Sequence, residues 1–166
     1  MVEYFSAFPT LVNNDGDIMK NITIRLDFMS RIKNNASIFQ YIQISTGQRP
    51  EDIANIYYQD PTLYWVVLWM NDIVDPYYEW LLTDDQLYAN ALQKYSNIYA
   101  THHYQTITGS PLGVGIIVNQ DTAYSEAISN IAYEQTQNEL KRNIKILQPQ
   151  YIPELLAEYQ AELTGS

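Results

Sequence analysis

The sequence contains no cysteine, so disulfide bonds, thiolate nucleophiles and thiolate metal sites are excluded together. The fold must therefore rest on apolar packing and on hydrogen bonds. With 166 residues, of which 46% are hydrophobic, the chain can bury a core without crosslinks, because a chain of this length hides roughly 70% of its unfolded surface. These numbers predict an ordinary globular protein of one domain or two small ones.

Long apolar runs are also missing. The longest, Leu63 to Met70, has the length of a buried core element and falls well short of the ~18 residues that a membrane span requires. The first residues, Met1 to Phe5, carry no basic segment of the kind that opens a signal peptide. We therefore expect neither a membrane anchor nor export by a signal peptide.

Lys and Arg are absent from the middle of the chain. Residues 50–93 include eight acidic and no basic side chains, so a phosphate backbone would be repelled and nucleic acid is not an expected partner. Seven of the nine basic residues gather in two groups, residues 20–33 and 141–145. These groups are either solvated faces or surfaces that meet complementary neighbours in an assembly, because charge complementarity sets register and partner choice.

Catalytic and metal-binding motifs are lacking too. The sequence has no G-x-S-x-G elbow, no H-E-x-x-H pair and no phosphate-binding glycine loop. His102 and His103 are adjacent, so in a strand they should point to opposite faces and not share a metal ion. Gly113 and Gly115 are interpreted as hairpin packing. We expect no enzymatic activity, no cofactor, no metal and no small-molecule ligand.

Turn-forming residues mark the N-terminal part. Asn13 to Gly16 predicts a tight turn between two short strands, because Asn, Asp and Gly tolerate positive φ. Beyond it, apolar residues recur at helical spacing with basic residues between them, which predicts a short amphipathic helix. These apolar residues are Ile22, Leu26, Met29 and Ile32.

The central segment predicts a strand, two helices and a second strand. The residues from Phe39 to Ile44 favour a strand. Pro50 suits the first turn of one helix, and Asp60-Pro61 caps and opens a second. The second helix should end at Asn71 in the left-handed conformation. Residues 80–82 are then expected to return as a strand beside the first.

Helices and strands continue to alternate in the rest of the chain. Thr83 or Asp84 can cap a helix that reaches about Tyr95. We then expect a hairpin of strands over 102–108 and 114–119, a long polar helix over 122–141, a strand over 144–146 and a helix from Pro149. The second half of the long helix, with Gln135 and Asn138, should find little to bury within its own chain.

The expected fold class is α+β. Its parts are an N-terminal extension over residues 1–35, a central module over 36–83 and a C-terminal extension over 84–166.

Aromatic residues are dense in one short stretch. Eight of the 24 positions from 57 to 80 are Tyr or Trp, against 13% aromatic residues in the whole chain. Trp65 and Trp69 share one helix face and aliphatic side chains occupy another, so this helix needs neighbours on several sides. The stretch is an aromatic core, a partner surface anchored by Tyr and Trp, or a platform for stacking sugars.

Several short motifs at fixed spacing point to a known family. Arg49-Pro50-Glu51-Asp52-Ile53-Ala54 is followed by Asp60-Pro61-Thr62-Leu63-Tyr64-Trp65, Asn71-Asp72 and Asp75-Pro76-Tyr77-Tyr78, and then by Lys141 to Leu147 near the C-terminal end. In these segments the sequence resembles the LysM-like baseplate wedge subunits of contractile-tailed bacteriophages, the baseplate wedge protein 53 family. The close resemblance covers about residues 41–82.

The resemblance implies a LysM-like strand-helix-helix-strand core in a structural subunit of a phage tail baseplate wedge. It implies that the subunit joins neighbouring wedge and tail proteins, in several copies around a six-fold assembly. The implied location is the virion baseplate, and the host cytoplasm during assembly. The candidate partner-interface residues are Arg49, Tyr58, Trp65, Trp69, Tyr77, Tyr78, Lys141, Arg142 and Lys145.

One departure from glycan-binding LysM modules bears on function. Such modules usually have Gly-Asp-Thr-Leu where this chain has Gly47-Gln48-Arg49-Pro50. The altered loop favours a protein connector. The alternative is a LysM-type peptidoglycan-binding module associated with cell-wall degradation.

Overall fold

Two stretches that are far apart in sequence build the first of two compact units. In the computed structural model, which describes residues 8–12, 15–20 and 36–164, residues 1–79 belong with residues 143–166, and residues 80–142 form the second unit. Helices and strands occur in both units, so the expected α+β class is confirmed. The division into three parts expected from the sequence stays a prediction. Its parts are continuous stretches of sequence, whereas the two units are defined by contacts in space.

The N-terminal hairpin is confirmed. Strand β1 (Thr10–Val12) pairs antiparallel with β2 (Ile18–Lys20), with Leu11 opposite Met19. Gly16 between the strands has a φ of 87°, a conformation that glycine adopts at no steric cost. The amphipathic helix predicted from Ile22 to Ile32 lies outside the described residues.

The main sheet of the first unit joins distant strands. β3 (Phe39–Gln43) pairs antiparallel with β7 (Asn143–Leu147), and Tyr41 lies opposite Lys145. The strand predicted at 144–146 is therefore confirmed, whereas the strand predicted over residues 80–82 is wrong. Those residues are buried without strand pairing.

Two helices follow β3, and the first begins as the sequence predicts, whereas the second begins at Tyr64, after a 3-10 turn at its predicted start. Helix α1 (Pro50–Tyr58) has proline in its first turn, and the Asp52 carboxylate accepts the Arg49 backbone N–H at 2.9 Å. The Asp60 carboxylate accepts the Thr62 backbone N–H at 2.9 Å. The chain then makes a 3-10 turn over Pro61–Leu63 before helix α2 (Tyr64–Met70).

The end of α2 differs from the prediction. Asn71 has a φ of −103°, and the left-handed conformation falls on Asp72 at 57°. The reason is that the Asn71 side chain forms hydrogen bonds with α2 and with β7, which hold this residue in place. Its amide nitrogen donates to the carbonyls of Val67 and Lys145, both at 2.8 Å, and its oxygen accepts the Lys145 N–H at 2.9 Å.

A one-turn helix, α3 (Pro76–Glu79), follows α2. The last elements of the first unit close its core. A 3-10 turn over Pro149–Tyr151 leads into helix α6 (Ile152–Thr164), as expected from Pro149. The buried face of this helix comprises Ile152, Leu155, Tyr159 and Leu163. Tyr159 packs against Trp65 with ring centroids 5.2 Å apart. The core also contains Ile53, Ala54, Val66, Val67, Met70, Ile144, Ile146 and Leu147.

The second unit begins with a helix and a small antiparallel sheet. Thr83 caps helix α4 (Asp84–Lys94) by accepting the Gln86 N–H, which confirms the predicted start. Strands β4 (Thr101–Thr106), β5 (Ile117–Val118) and β6 (Ser125–Ser129) lie in the order β5-β4-β6. The predicted hairpin is thus confirmed as the β4–β5 pair.

The long helix predicted over residues 122–141 is wrong in its first third. Residues 125–129 form β6, and helix α5 (Asn130–Leu140) starts only when the Ser129 hydroxyl accepts the Ala132 N–H. Tyr124 and Ile128 suggested a helical stripe, but Tyr124 has a φ of 58° and Ile128 pairs with His103 across the sheet. Pairing with β4 therefore overrides the local spacing.

The second half of α5 was expected to bury little within its own chain, and Asn138 shows that this prediction is wrong. Asn138 is buried, and its side-chain amide accepts the Leu82 N–H at 2.9 Å and donates to the Leu82 carbonyl at 3.0 Å. Both backbone groups of Leu82 are thereby satisfied without a neighbouring strand. This explains how residues 80–82 are buried as irregular chain.

Candidate protein interface

A one-turn helix in the first unit carries two exposed tyrosines. Helix α3 (Pro76–Glu79) has no buried residue, and Tyr77 and Tyr78 are 83% and 57% exposed. Val74 just before the helix is exposed as well. We call residues 74–79 the α3 segment. Its aromatic rings add little to the core, although Tyr and Trp are the residues that most often anchor protein interfaces.

Local hydrogen bonds hold the α3 segment in shape. One oxygen of the Glu79 carboxylate accepts the backbone N–H groups of Val74 at 2.6 Å and Asp75 at 2.9 Å. The Asp75 carboxylate in turn accepts the N–H of Tyr77 at 3.0 Å. Carboxylates that bind backbone donors in this way fix a short turn. The tyrosines are therefore presented on a preorganised loop, which lowers the entropic cost of binding.

The charged side chains in this stretch of the sequence have one sign. Asp72, Asp75 and Glu79 lie in or beside the α3 segment, within the stretch of residues 50–93 that has no Lys or Arg. Tyrosine faces attract cations, and nearby carboxylates strengthen that preference. The surface therefore suits a basic partner.

Two of the predicted interface aromatics are only half-buried, and a third belongs to the core. Tyr58 and Trp69 are intermediate in exposure. Burial raises the pKa of the Tyr58 hydroxyl, with the Leu147 backbone partly opposing the rise. Trp65 is 6% exposed and packs on Tyr159. In the folded unit, Trp65 is thus core, and we leave it out of any proposed surface.

The predicted basic residues occupy separate elements. Arg49, at the start of α1, has a side chain that is 72% exposed and bonds Glu51 at 3.0 Å. In the second unit, Lys141 donates to the Trp80 carbonyl at 3.4 Å. Lys145, on β7 in the first unit, lies 5.4 Å above the Phe39 ring. Each cation therefore has a partner within its own unit.

Arg142 is tied to Glu139 at the end of α5. Two guanidinium nitrogens each donate to a different carboxylate oxygen at 2.8 Å, a two-pronged geometry that suits planar groups. The hydrogen bonds from Arg142 lower the pKa of Glu139. The pair therefore presents a fixed, nearly neutral group at the helix end.

The two histidines do not behave as predicted. Their Nδ1 atoms are 2.8 Å apart, because an irregularity in β4 between Thr101 and His103 brings both rings to one side. The His102 ring stacks on Tyr133 at 4.0 Å. Over the ranges that the structure describes, no three His, Asp or Glu side chains gather as a metal site.

A carboxylate beside these rings has two donors. Glu134 accepts from the Lys94 ammonium at 2.6 Å and from the Tyr95 hydroxyl at 2.7 Å. Desolvation alone would raise the pKa of Glu134, but the hydrogen bonds from Lys94 and Tyr95 outweigh it and lower that pKa. The same Glu134 hydrogen bond raises the pKa of Lys94. This cluster links α4 to α5 within the second unit.

The structure gives two asparagines roles that differ from those predicted from the sequence. Asn71 and Asn138 are the amides that clamp distant backbone, and nothing local in the sequence separates them from solvent-exposed Asn. Their only signal was polarity at positions beside apolar residues. As to membranes, each helix within the described ranges is too short or too polar to cross one.

Comparison with known proteins finds similarity to a family of phage baseplate proteins. A family model described as Base plate wedge protein 53 matches residues 2–110, well over half of the chain. The chain is also similar to Baseplate wedge protein gp53 of Enterobacteria phage T4, with 46% identity over 55 residues. That stretch covers 33% of this chain and 28% of the T4 protein, so only a minor part of the relative is matched. The chain therefore belongs to the Base plate wedge protein 53 family, whose members are components of a bacteriophage tail baseplate.

Proposed function

We propose that this chain is a structural subunit of the baseplate wedge that joins neighbouring wedge proteins by protein–protein contacts during assembly. Family membership supports a structural role in the baseplate. The α3 segment is the observation that carries the joining role. It holds Tyr77 and Tyr78 in the open on a turn that is fixed by its own carboxylates.

The chemistry of the α3 segment defines its partner. Two aromatic rings beside the carboxylates of Asp75 and Glu79 fit a basic surface of a neighbouring wedge protein, where Arg or Lys stacks on the rings. Burial of the rings supplies affinity, and the acidic setting selects the partner. The basic residues Arg49, Lys141 and Lys145 are proposed to make further contacts with acidic neighbours. Arg142, which is paired with Glu139, and the half-buried Tyr58 and Trp69 are proposed to contact neighbouring subunits as well.

A second proposal concerns the core that carries this surface. β3, α1 and α2 are consecutive, and β7, which comes after the second unit, pairs antiparallel with β3 to complete a strand-helix-helix-strand set. We propose that they form a LysM-like module whose second strand comes from residues 143–147, after the second unit. Such a module would serve as a connector, with several copies around a six-fold assembly in the virion, assembled in the host cytoplasm.

Loss of the tyrosines tests the joining role. The variant that combines Tyr77→Ala and Tyr78→Ala is mixed with the other tail proteins of the phage that encodes it, and its share in assembled baseplates is measured. Incorporation is expected to fall about tenfold or more, because truncating an interface anchor typically costs over 1 kcal/mol. Tyr99→Ala is the matched control, since Tyr99 is 69% exposed outside the α3 segment. Wild-type incorporation of the double variant would refute the joining role of this segment.

The glycan alternative has its own readout. Wild-type chain and Trp69→Ala are each incubated with insoluble peptidoglycan and sedimented. The connector proposal expects neither to be retained. Retention of the wild type that is lost in Trp69→Ala would favour the peptidoglycan-binding module instead.

A further inference from the structure

The link between β4 and β5 carries a row of exposed aliphatic side chains. We call residues 107–118 the apolar arm. No charged residue occurs from Ile107 to Gln120, in a chain with a net charge of −10. The exposed side chains of the arm, between 37% and 71% accessible, are Ile107, Leu112, Val114, Ile116 and Ile117.

A buried threonine holds the arm in one shape. Thr106 is fully buried. Its N–H donates to the Ile116 carbonyl, its carbonyl accepts the Gly115 N–H, and its hydroxyl accepts the Ile116 N–H, each at 2.9 Å. Gly115 has a φ of 80°, which only glycine adopts without strain. At the other side, the Ile107 N–H donates to the Tyr124 carbonyl at 2.8 Å.

Within the chain, the apolar arm buries little surface that could offset the entropy lost when its backbone is ordered. Fixing backbone costs conformational entropy, and burying apolar side chains is the usual compensation. Here the aliphatic side chains remain largely in solvent. Exposed apolar side chains that cluster in one short segment often mark an interaction site. β5 is in addition an edge strand of its sheet, so its outer side can accept backbone hydrogen bonds from a partner.

Charge decides which class of partner fits. Between Lys94 and Lys141 the chain has no Lys or Arg, and Asp121 and Glu126 follow the arm. Anionic lipid headgroups and nucleic acid attract basic residues, so neither is drawn to this part of the chain. A second copy would bring another net charge of −10 and would be repelled at long range. The complementary surface is an apolar recess on a different protein, with a basic rim that faces Asp121 and Glu126.

We propose that the apolar arm inserts into an uncharged apolar recess, with a basic rim, on another protein of the assembled baseplate. The inference rests on the proposed function, because it needs the chain to be part of that assembly. The arm differs from the α3 segment in both chemistry and unit. It is a neutral aliphatic contact of the second unit, whereas the α3 segment is an acidic aromatic contact of the first.

Photocrosslinking in the assembled particle tests the inference. The full chain carries p-benzoylphenylalanine at position 114 in place of Val114, or at position 92 in place of Leu92, which is 55% exposed on α4. We expect irradiated particles to give a crosslink from position 114 to a different baseplate protein, at an apolar peptide with Lys or Arg nearby. A crosslink no stronger than that of position 92, or one only to a second copy or to lipid, would overturn the proposal.

Charged substitutions give a second, independent readout. Val114→Asp and Ile117→Asp are expected to lower incorporation into baseplates about tenfold or more, because each buries an unpaired charge in the recess. Leu92→Asp should stay within about twofold of wild type. The thermal midpoint of the free chain should hardly change in any of these variants, since the replaced side chains are exposed.

The outcomes separate this inference from the proposed function. If wild-type chain is missing from purified baseplates, both fail. If wild-type chain is present and Val114→Asp enters baseplates equally well, only the role of the apolar arm is refuted.

Discussion

The side chain of Asn71 bonds both the N–H and the C=O of Lys145, which lies 74 positions away in sequence. Within the described part of the chain, the β3–β7 sheet has two strands, so β7 has one edge without a strand beside it. At Lys145 an amide side chain takes the place of that missing strand. This contact ties the end of α2 to β7, which is the last strand of the first unit, and makes the fold of that unit depend on one polar residue.

Asn71→Ala should therefore destabilise the chain by about 2–3 kcal/mol, because buried backbone donors and acceptors that lose a partner cost about 1–3 kcal/mol. Urea unfolding followed by circular dichroism measures the change. Asn55→Ala, at an exposed position on α1, is the control and should alter stability by less than about 0.5 kcal/mol. Equal effects of the two variants would contradict the proposed importance of the clamp.

Asn138→Ala is expected to have a similar effect in the second unit. It removes both hydrogen bonds to Leu82 at a buried site, for a loss of about 2–4 kcal/mol. Hydrogen exchange of the Leu82 amide provides a local measurement and should accelerate in the variant. Gln137→Ala, exposed on the same helix, should leave that amide protected. Unchanged exchange in Asn138→Ala would show that Leu82 is protected by other groups.

The cluster around Glu134 predicts a pH dependence. The pKa of Glu134 is lowered in the folded chain, so its contribution to stability is present above the ordinary glutamate pKa, near 4.3. The contribution is lost as the pH falls through the lower, folded-state value. Because the Lys94 side chain is 58% exposed, solvent screening limits the effect to about 1 kcal/mol or less.

Glu134→Gln tests that dependence. The variant should be slightly less stable than wild type at pH 7, and the difference should shrink as the pH falls below about 4. Glu126→Gln, on the exposed side of β6, serves as the control. A stability difference between Glu134→Gln and wild type that stays constant down to pH 2 would exclude a charged role for Glu134.

Thr106→Val should loosen the apolar arm without removing core volume. The substitution deletes the hydroxyl that accepts the Ile116 N–H and keeps a side chain of nearly the same shape. Exchange of the Ile116 amide is expected to rise about tenfold, the equivalent of roughly 1.4 kcal/mol. Thr108→Val at an exposed position of the arm should have little effect. If both variants exchange alike, Thr106 does not hold the arm.

Local signals in the sequence were sufficient to predict most helix starts. Pro50, Asp60 and Thr83 act as predicted, because capping depends on residues within one turn. The partner of β3 could not be found in the same way. The apolar residues 80–82 and 144–146 both fit a buried strand, and only the long-range amide contacts of Asn71 and Asn138 decide between them.

The candidate interface was predictable only in part. The density of Tyr and Trp over residues 57–80 indicated a core or an interface. In the structure, some of these aromatic side chains are buried and others are exposed. Trp65 packs in the core, whereas Tyr77 and Tyr78 are exposed on α3. Sequence spacing cannot make that division, since it depends on which helix faces meet α6 and β7. The exposure of the apolar arm could not be predicted, because glycines and aliphatic residues in this order are also typical of an ordinary hairpin whose side chains are buried.

The central claim is that the chain connects wedge proteins through exposed surfaces of its own fold. A cryo-electron microscopy map of the assembled baseplate from the phage that encodes this chain tests it most directly. We expect the chain to be present in the map, with Tyr77 and Tyr78 buried against a basic surface of a neighbouring wedge protein. A baseplate without the chain, or one in which both tyrosines remain in solvent, would contradict it.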